Sequence, residues 1–158
     1  MANICFNSIE IFGESKAIKK IKSKYKDEIL EDDIYSDGET ELKFRYESRW
    51  APPIDWIQEL SNFGVIVECI YDECGANMCG KFAYKNGDKV FEIDFTYLEG
   101  MYNFVEWCNF LEDEVMWRLD NYEDVEEFIE DFPFVTDDER EELISIFNEA
   151  NEYEKANF

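Results

Sequence analysis

The segment from Ile4 to Phe12 alternates in strand fashion, and that period commits it to a β-strand. Alternation sets Ile4, Phe6 and Phe12 on one face and Cys5, Asn7, Ile9 and Ile11 on the other. Gly13 ends the strand. Ser15 then caps a helix whose Ile18, Ile21 and Tyr25 follow three-four spacing. The polar side of that helix carries Lys16, Lys19, Lys20, Lys22, Lys24 and Lys26, nearly cancelled by Asp27, Glu28, Glu31, Asp32 and Asp33, so it reads as a solvated face. Glu31 to Glu39 reads as an acidic loop containing Asp37-Gly38. A second strand covers about Glu41 to Glu47, with Leu42, Phe44 and Tyr46 on one face. Pro52 and Pro53 stop it, and Pro53 starts a helix through Leu60. Val65 to Tyr71 is a short β-branched run. Lys81 to Lys85 and Val90 to Thr96 flank Asn86-Gly87-Asp88, a strong hairpin signal.

Near Gly100 the period changes. Phe104, Trp107, Cys108, Leu111, Val115 and Leu119 form one helical stripe, and Val125, Phe128, Ile129 and Phe132 another that Pro133 ends. Thr136 and Glu139 match a capping box opening a helix with Leu143, Ile146, Phe147 and Ala150. The chain divides into residues 1–100, an α+β domain of order β-α-β-α-β-β-β, and residues 101–158, an acidic helical addition.

Charge divides the same way. The 158 residues hold 15 basic and 39 acidic side chains, net −24, with no histidine. Residues 101–158 alone hold 3 basic and 19 acidic groups, against 9 and 11 in residues 1–50. Such a balance opposes direct binding to nucleic acid or to an anionic membrane. The 27 aromatic residues (14 Phe, 9 Tyr, 4 Trp) separate the chain from disordered acidic tails. Lack of histidine removes Ser-His and Cys-His nucleophile pairs and histidine metal sites. Cys5, Cys69, Cys74, Cys79 and Cys108 are odd in number, and Met1-Ala2-Asn3-Ile4 resembles no signal peptide, so free thiols in a reducing cytoplasm are expected. No apolar run approaches the ~18 residues of a membrane span.

The motifs that suggest chemistry fail on context. Gly75 to Lys81 has phosphate-loop spacing, but Phe82 stands where a Ser or Thr must bind magnesium, and a strand follows. Asp33 to Phe44 laid on a calcium loop puts Tyr35 at position 3 and Phe44 at position 12, where ligands are required. The C-x4-C-x4-C of Cys69, Cys74 and Cys79 is not a zinc pattern. No catalytic residue, metal or cofactor is expected, and the chain is not read as an enzyme.

What remains is the acidic region. Glu123, Asp124, Glu126, Glu127, Glu130 and Asp131, then Asp137, Asp138, Glu139, Glu141 and Glu142, fall at helical spacing and form rows of negative charge. Like-charge crowding of this kind destabilises and exceeds what solubility needs, which points to a function. The rows are the expected partner-binding residues.

The opening Met1-Ala2-Asn3-Ile4-Cys5-Phe6-Asn7-Ser8-Ile9-Glu10-Ile11-Phe12-Gly13 resembles the M-x-N-x-C-x-N-x-I-x-I-x-G start of a phage- and plasmid-borne family, largely uncharacterised, that carries a ferredoxin-like domain. Trp50-Ala51-Pro52-Pro53 before a helix, and Tyr71-Asp72-Glu73-Cys74-Gly75 with Gly80 beyond, look like the same family, and Gly64 stands where a proline is expected. The resemblance spans about residues 1–97. It implies a ferredoxin-like α+β sandwich with a mostly antiparallel sheet and a mobile-element origin, and it supplies no catalytic residues. With the charge argument it leads to one expectation. The chain is a phage-encoded inhibitor, a DNA mimic that occupies the nucleic-acid site of a basic host defence protein such as a CRISPR effector or a restriction nuclease. The alternative is a protein-interaction or assembly module of a mobile element without mimicry.

Overall fold

The computed structural model describes residues 3–73, 78–96 and 137–158. They fall into two compact units, Met1–Phe95 and Thr96–Phe158. In the first unit the elements are β1 (Ile4–Phe12), α1 (Ser15–Lys24), a 3₁₀ turn (Glu31–Asp33), β2 (Ile34–Asp37), β3 (Glu41–Arg49), α2 (Ile54–Ser61), β4 (Ile66–Glu73), β5 (Met78–Lys85) and β6 (Asp88–Thr96).

The six strands make one sheet in the order β2-β3-β1-β4-β5-β6. β1 runs antiparallel to both β3 and β4, β2 to β3, and β5 to β4. The first four strands with α1 and α2 therefore form a β-α-β-β-α-β unit ordered 2-3-1-4, the ferredoxin-like α+β arrangement, and β5 and β6 extend the sheet beyond β4. Both helices pack on one face. α1 lies against β3, and α2 against β4 and β5.

The alternation read at β1 holds: Cys5, Asn7, Ile9 and Ile11 are buried, while Ile4 and Phe6 are exposed on the opposite face. Beneath the helices, Ile9, Ile11, Leu42, Phe44, Val67, Cys69, Tyr71, Phe82 and Tyr84 meet Ile18, Ile21, Ile57 and Leu60. Trp56 of α2 seats its ring 4.8 Å from Tyr46, 5.9 Å from Tyr25 and 6.1 Å from Phe44 by centroids, joining both helices to β3. Tyr25 also donates its hydroxyl to Glu59 Oε1 at 2.7 Å, with Lys24 2.9 Å from the same oxygen.

Three details differ from the sequence expectation. Glu31 to Glu39 is not all loop, because Ile34–Asp37 pairs with β3 as a short edge strand. Ser15 is the first helical residue of α1, and Glu14 is the extended residue before it. Gly64 has φ +79°, a value closed to proline, so the glycine is what this turn requires. The Asn86-Gly87 turn holds as expected, with φ +53° and +84° fitting a two-residue type I′ hairpin.

In the second unit the described helix is α3 (Asp137–Asn157), which begins one residue after Thr136 and continues past Ala150. Ala150 and Tyr153 are buried, and the Tyr153 ring meets Phe158 edge-on at 6.3 Å. The expected stripes at residues 104–119 and 125–132 lie outside the described residues.

Two substitutions test this core. Phe44→Ala removes a fully buried ring and lowers unfolding free energy by about 3–5 kcal/mol in urea titrations at unchanged m. Gly64→Ala loses about 1–2 kcal/mol and Gly64→Asn less, because asparagine tolerates the left-handed region.

Candidate functional site

Of the expected acidic residues, Glu123, Asp124, Glu126, Glu127, Glu130 and Asp131 lie outside the described residues. Asp137, Asp138, Glu139, Glu141 and Glu142 lie in the first two turns of α3, where the helix dipole favours negative charge. Asp137 and Glu141 are exposed one turn apart, and Glu149 and Glu152 are exposed further along. The helix is about 31 Å long at 1.5 Å per residue. Its eight carboxylates and two basic residues give one net charge per ~5 Å, against ~1.7 Å for duplex DNA. A duplex-like density therefore requires the acids of residues 123–131 as well.

A second constellation, which the charge argument did not find, lies at the end of the sheet where β1 begins and β3 and β4 finish. Asn7 is buried on the helix-covered face of β1. Its Nδ2 donates to Tyr46 O at 2.9 Å, Ser48 Oγ at 2.9 Å and Cys5 O at 3.0 Å. Its Oδ1 accepts from the Cys5 thiol at 3.6 Å and the Cys69 thiol at 3.8 Å. Burial pushes the Cys5 thiol up from 9.0 to about 11; a hydrogen bond with Ser48 pulls back, while the Glu73 and Asp72 carboxylates push further up. Burial, then Cys5, raises Cys69 well above 9.0. Both are free thiols. The register sets Cys69 opposite Ile9, four residues and ~13 Å along the sheet from Cys5, too far for a disulfide. Thiols held neutral in this way are poor nucleophiles.

Glu73 ends β4 beside Cys5. It is fully buried, and neither carboxylate oxygen has a hydrogen-bond partner among the described residues. A signal for its burial was present: parity with Cys69 and Tyr71 puts Glu73 on the covered face and Asp72 on the other. Lys81, the lysine of the phosphate-loop spacing, is buried in β5 and paired with Glu68 at 3.0 Å, and the segment around it is strand. Among the described residues no group of three or more Cys, Asp or Glu is placed to hold a metal ion. No described helix is long and apolar enough to cross a membrane. A cleft of about 360 Å³ lined by Lys22, Lys26, Ile29, Glu31, Ile34 and Asp37 sets two lysines against two carboxylates, with Lys22 and Asp37 2.5 Å apart.

The sheet face away from the helices carries the remaining feature. The β2–β3 register shifts between Ile34 and Ser36, and this bulge at Tyr35 carries its hydroxyl to Ser8 Oγ at 2.7 Å and Glu10 Oε1 at 3.1 Å. Lys43 closes on the other Glu10 oxygen at 2.9 Å. Towards the sheet end, Ile4, Phe6 and Trp50 are exposed, and Trp50 has φ +68°. Ile4, Trp50 and Glu73, one from each segment that carries the family resemblance, lie at the same end of the sheet.

Residues 24–106 match the family described as the ferredoxin-like domain in Api92-like protein, and the chain belongs to that family. The matched range holds Trp50–Pro53 and Tyr71–Gly75, and the opening strand precedes it. No curated protein and no solved structure matches the chain.

Two outcomes are expected at the sheet end. Glu73→Met replaces an unpartnered buried carboxylate with an apolar chain of similar size and raises the urea midpoint, by about 1–3 kcal/mol of stability. A fall instead would show that the carboxylate has a partner. The raised Cys5 thiol keeps its proton in the folded state, so its stabilisation is complete below pH 9.0 and is lost as pH rises towards 11. Wild type therefore loses up to about 2–3 kcal/mol more than Cys5→Ala across that interval.

Proposed function

We propose that the chain is a phage-encoded inhibitor that occupies the nucleic-acid site of a basic host defence protein, a CRISPR effector or a restriction nuclease, by presenting carboxylates in place of phosphates. The observation that carries this reading is the concentration of charge: 19 of the 39 acidic residues but 3 of the 15 basic ones fall in residues 101–158. On α3, Asp137, Glu141, Glu149 and Glu152 stand exposed along one rigid element. Carboxylates held on a helix lose little freedom when they pair with Arg and Lys in a groove, and their field speeds encounter with a positive surface. A loop carrying the same charges would lose more entropy on binding. Aromatic contacts elsewhere on the chain supply the specificity that charge alone does not.

A second reading, an interaction module without mimicry, is favoured by the exposed Ile4, Phe6 and Trp50. Salt separates the two. Groove occupancy weakens as salt rises and is competed by DNA, whereas apolar docking is little affected by either.

The test is inhibition of a candidate nuclease by purified protein, with DNA as competitor. Asp137→Lys with Glu141→Lys, combined with four Lys substitutions among residues 123–130, leaves the far-ultraviolet circular dichroism unchanged and weakens inhibition by at least about tenfold. Full inhibition by that variant would reject the acidic surface as the binding site.

A further inference from the structure

At the end of the helix-covered face, one row of side chains holds more hydrogen-bond acceptors than donors. The β1–β3 register sets Cys5 opposite Ser48, and the β1–β4 register, with Phe6 opposite Asp72, brings Glu73 level with Cys5 on the other side. Asn7 stands two residues along the same face of β1. The hydrogens of this group are already committed. Asn7 Nδ2 donates to Tyr46 O, Ser48 Oγ and Cys5 O. The Ser48 hydroxyl donates to Ala51 O at 2.6 Å, and the Cys5 thiol donates to Asn7 Oδ1 at 3.6 Å. Glu73 is left fully buried, with two carboxylate oxygens and no donor for either among the described residues. Folded interiors satisfy their polar groups, and a bare one marks a place for a bound water or ion. A water brings two hydrogens and no charge, whereas a cation answers the carboxylate and the other acceptors together.

We propose that this row binds one divalent cation of the zinc class, held by Cys5 Sγ, a Glu73 carboxylate oxygen and Asn7 Oδ1, with Ser48 Oγ or water in the fourth position. Zinc accepts a mixed set of sulfur and oxygen, whereas magnesium and calcium take oxygen alone. Bonds of about 2.3 Å to sulfur and about 2.1 Å to oxygen at a tetrahedral angle set the two ligand atoms about 3.6 Å apart. Cys5 Sγ and Asn7 Oδ1 stand at that separation, 3.6 Å. Binding displaces the Cys5 proton to solvent, and Asn7 Oδ1 exchanges the thiol hydrogen for the metal. Thiolate and carboxylate together carry two negative charges, which a divalent cation cancels. The three contacts of Asn7 Nδ2 fix its amide, so the oxygen is already oriented, the outer support that metal ligands need. Two of the four ligands are neither Cys nor an acid, so no cluster of three such residues marks the place. Ser48 is half-buried and gives the row an edge towards solvent, through which a cation can enter. The site is independent of the inhibitor reading.

The experiment titrates the purified full chain, stripped with chelator, with cobalt(II) as the spectroscopic probe and zinc as its competitor. One equivalent of cobalt produces a sulfur-to-cobalt charge-transfer band in the near ultraviolet, and zinc abolishes it. Surface carboxylates also attract cobalt but give no such band. Cys5→Ser removes the band, and Glu73→Gln weakens cobalt binding by at least about tenfold, both variants being checked by circular dichroism. A variant with Cys74→Ser, Cys79→Ser and Cys108→Ser keeps it. Zinc raises the urea midpoint of wild type and leaves that of Glu73→Met, whose own gain belongs to the metal-free protein, where it was. Stripped wild type that shows no band overturns the proposal. A band that survives Cys5→Ser, or one lost with the other three cysteines, does the same. Equal cobalt affinity in Glu73→Gln and wild type also overturns it, because the buried carboxylate is then no ligand.

Discussion

Strand β1 is hydrogen-bonded along both edges, to β3 and to β4, and the order of the first unit depends on holding it in one register. Its covered face, Cys5-Asn7-Ile9-Ile11, is apolar at three of four positions, so a slip of two residues would exchange one small or branched apolar side chain for another. Asn7 prevents this. Its amide finds Tyr46 O and Ser48 Oγ at one alignment of β1 with β3, and a shift that loses both leaves it only its contacts with Cys5 on its own strand, at a loss of about 1–3 kcal/mol. Gly13 fixes the other end: a Cβ there would lie 2.5 Å from Val65 Cγ1, so only glycine lets the turn into α1 pass beside the start of β4. A polar pin and a bare backbone thus bracket the same strand.

Much of this was legible in the chain. The two-residue period at β1 and β3 separated the two faces of each strand, but at β1 both faces carry apolar side chains, so the period alone did not say which one the helices cover. The hairpin at Asn86-Gly87 follows from backbone chemistry alone. Strand β2 was not legible. It is four residues long, lies at the sheet edge, carries a bulge and buries no residue fully, so nothing in its composition distinguishes it from the acidic loop around it. Edge strands need only partner backbone, and a backbone partner is invisible in sequence.

The candidate sites divide similarly. Rows of carboxylates can be counted from sequence, but which of 39 is buried cannot be, since burial depends on strand parity and on what covers each face. Glu68 and Glu73 show this. Both are buried in β4, one facing Lys81 on β5 and the other beside Cys5 on the opposite face. Buried carboxylates with different surroundings carry different consequences. Glu68 has its charge answered within the sheet, and removing Lys81 would strand it, whereas Glu73 contributes desolvation without a matching contact. An arrangement of that kind persists where the surrounding packing over-determines it, here the Cys5–Asn7–Ser48 cluster.

Charge is unequally shared between the two units. Met1–Phe95 carries 12 basic and 19 acidic residues, and Thr96–Phe158 carries 3 and 20. In the first unit lysines of α1 meet carboxylates of other elements, as in Lys22–Asp37 and Lys24–Glu59, exposed pairs that contribute little to stability but reduce local repulsion. The sheet face shares that balance, with Lys43 answering Glu10 and Arg45, Glu47 and Arg49 alternating in sign. A surface of mixed sign is short-ranged, because its field cancels within a few ångströms, and contact there is decided by shape and apolar area. A surface of one sign acts over a Debye length, about 8 Å in physiological salt, before any contact forms. The alternating charges along β3 therefore act only at contact, whereas the excess of carboxylates on α3 acts at a distance.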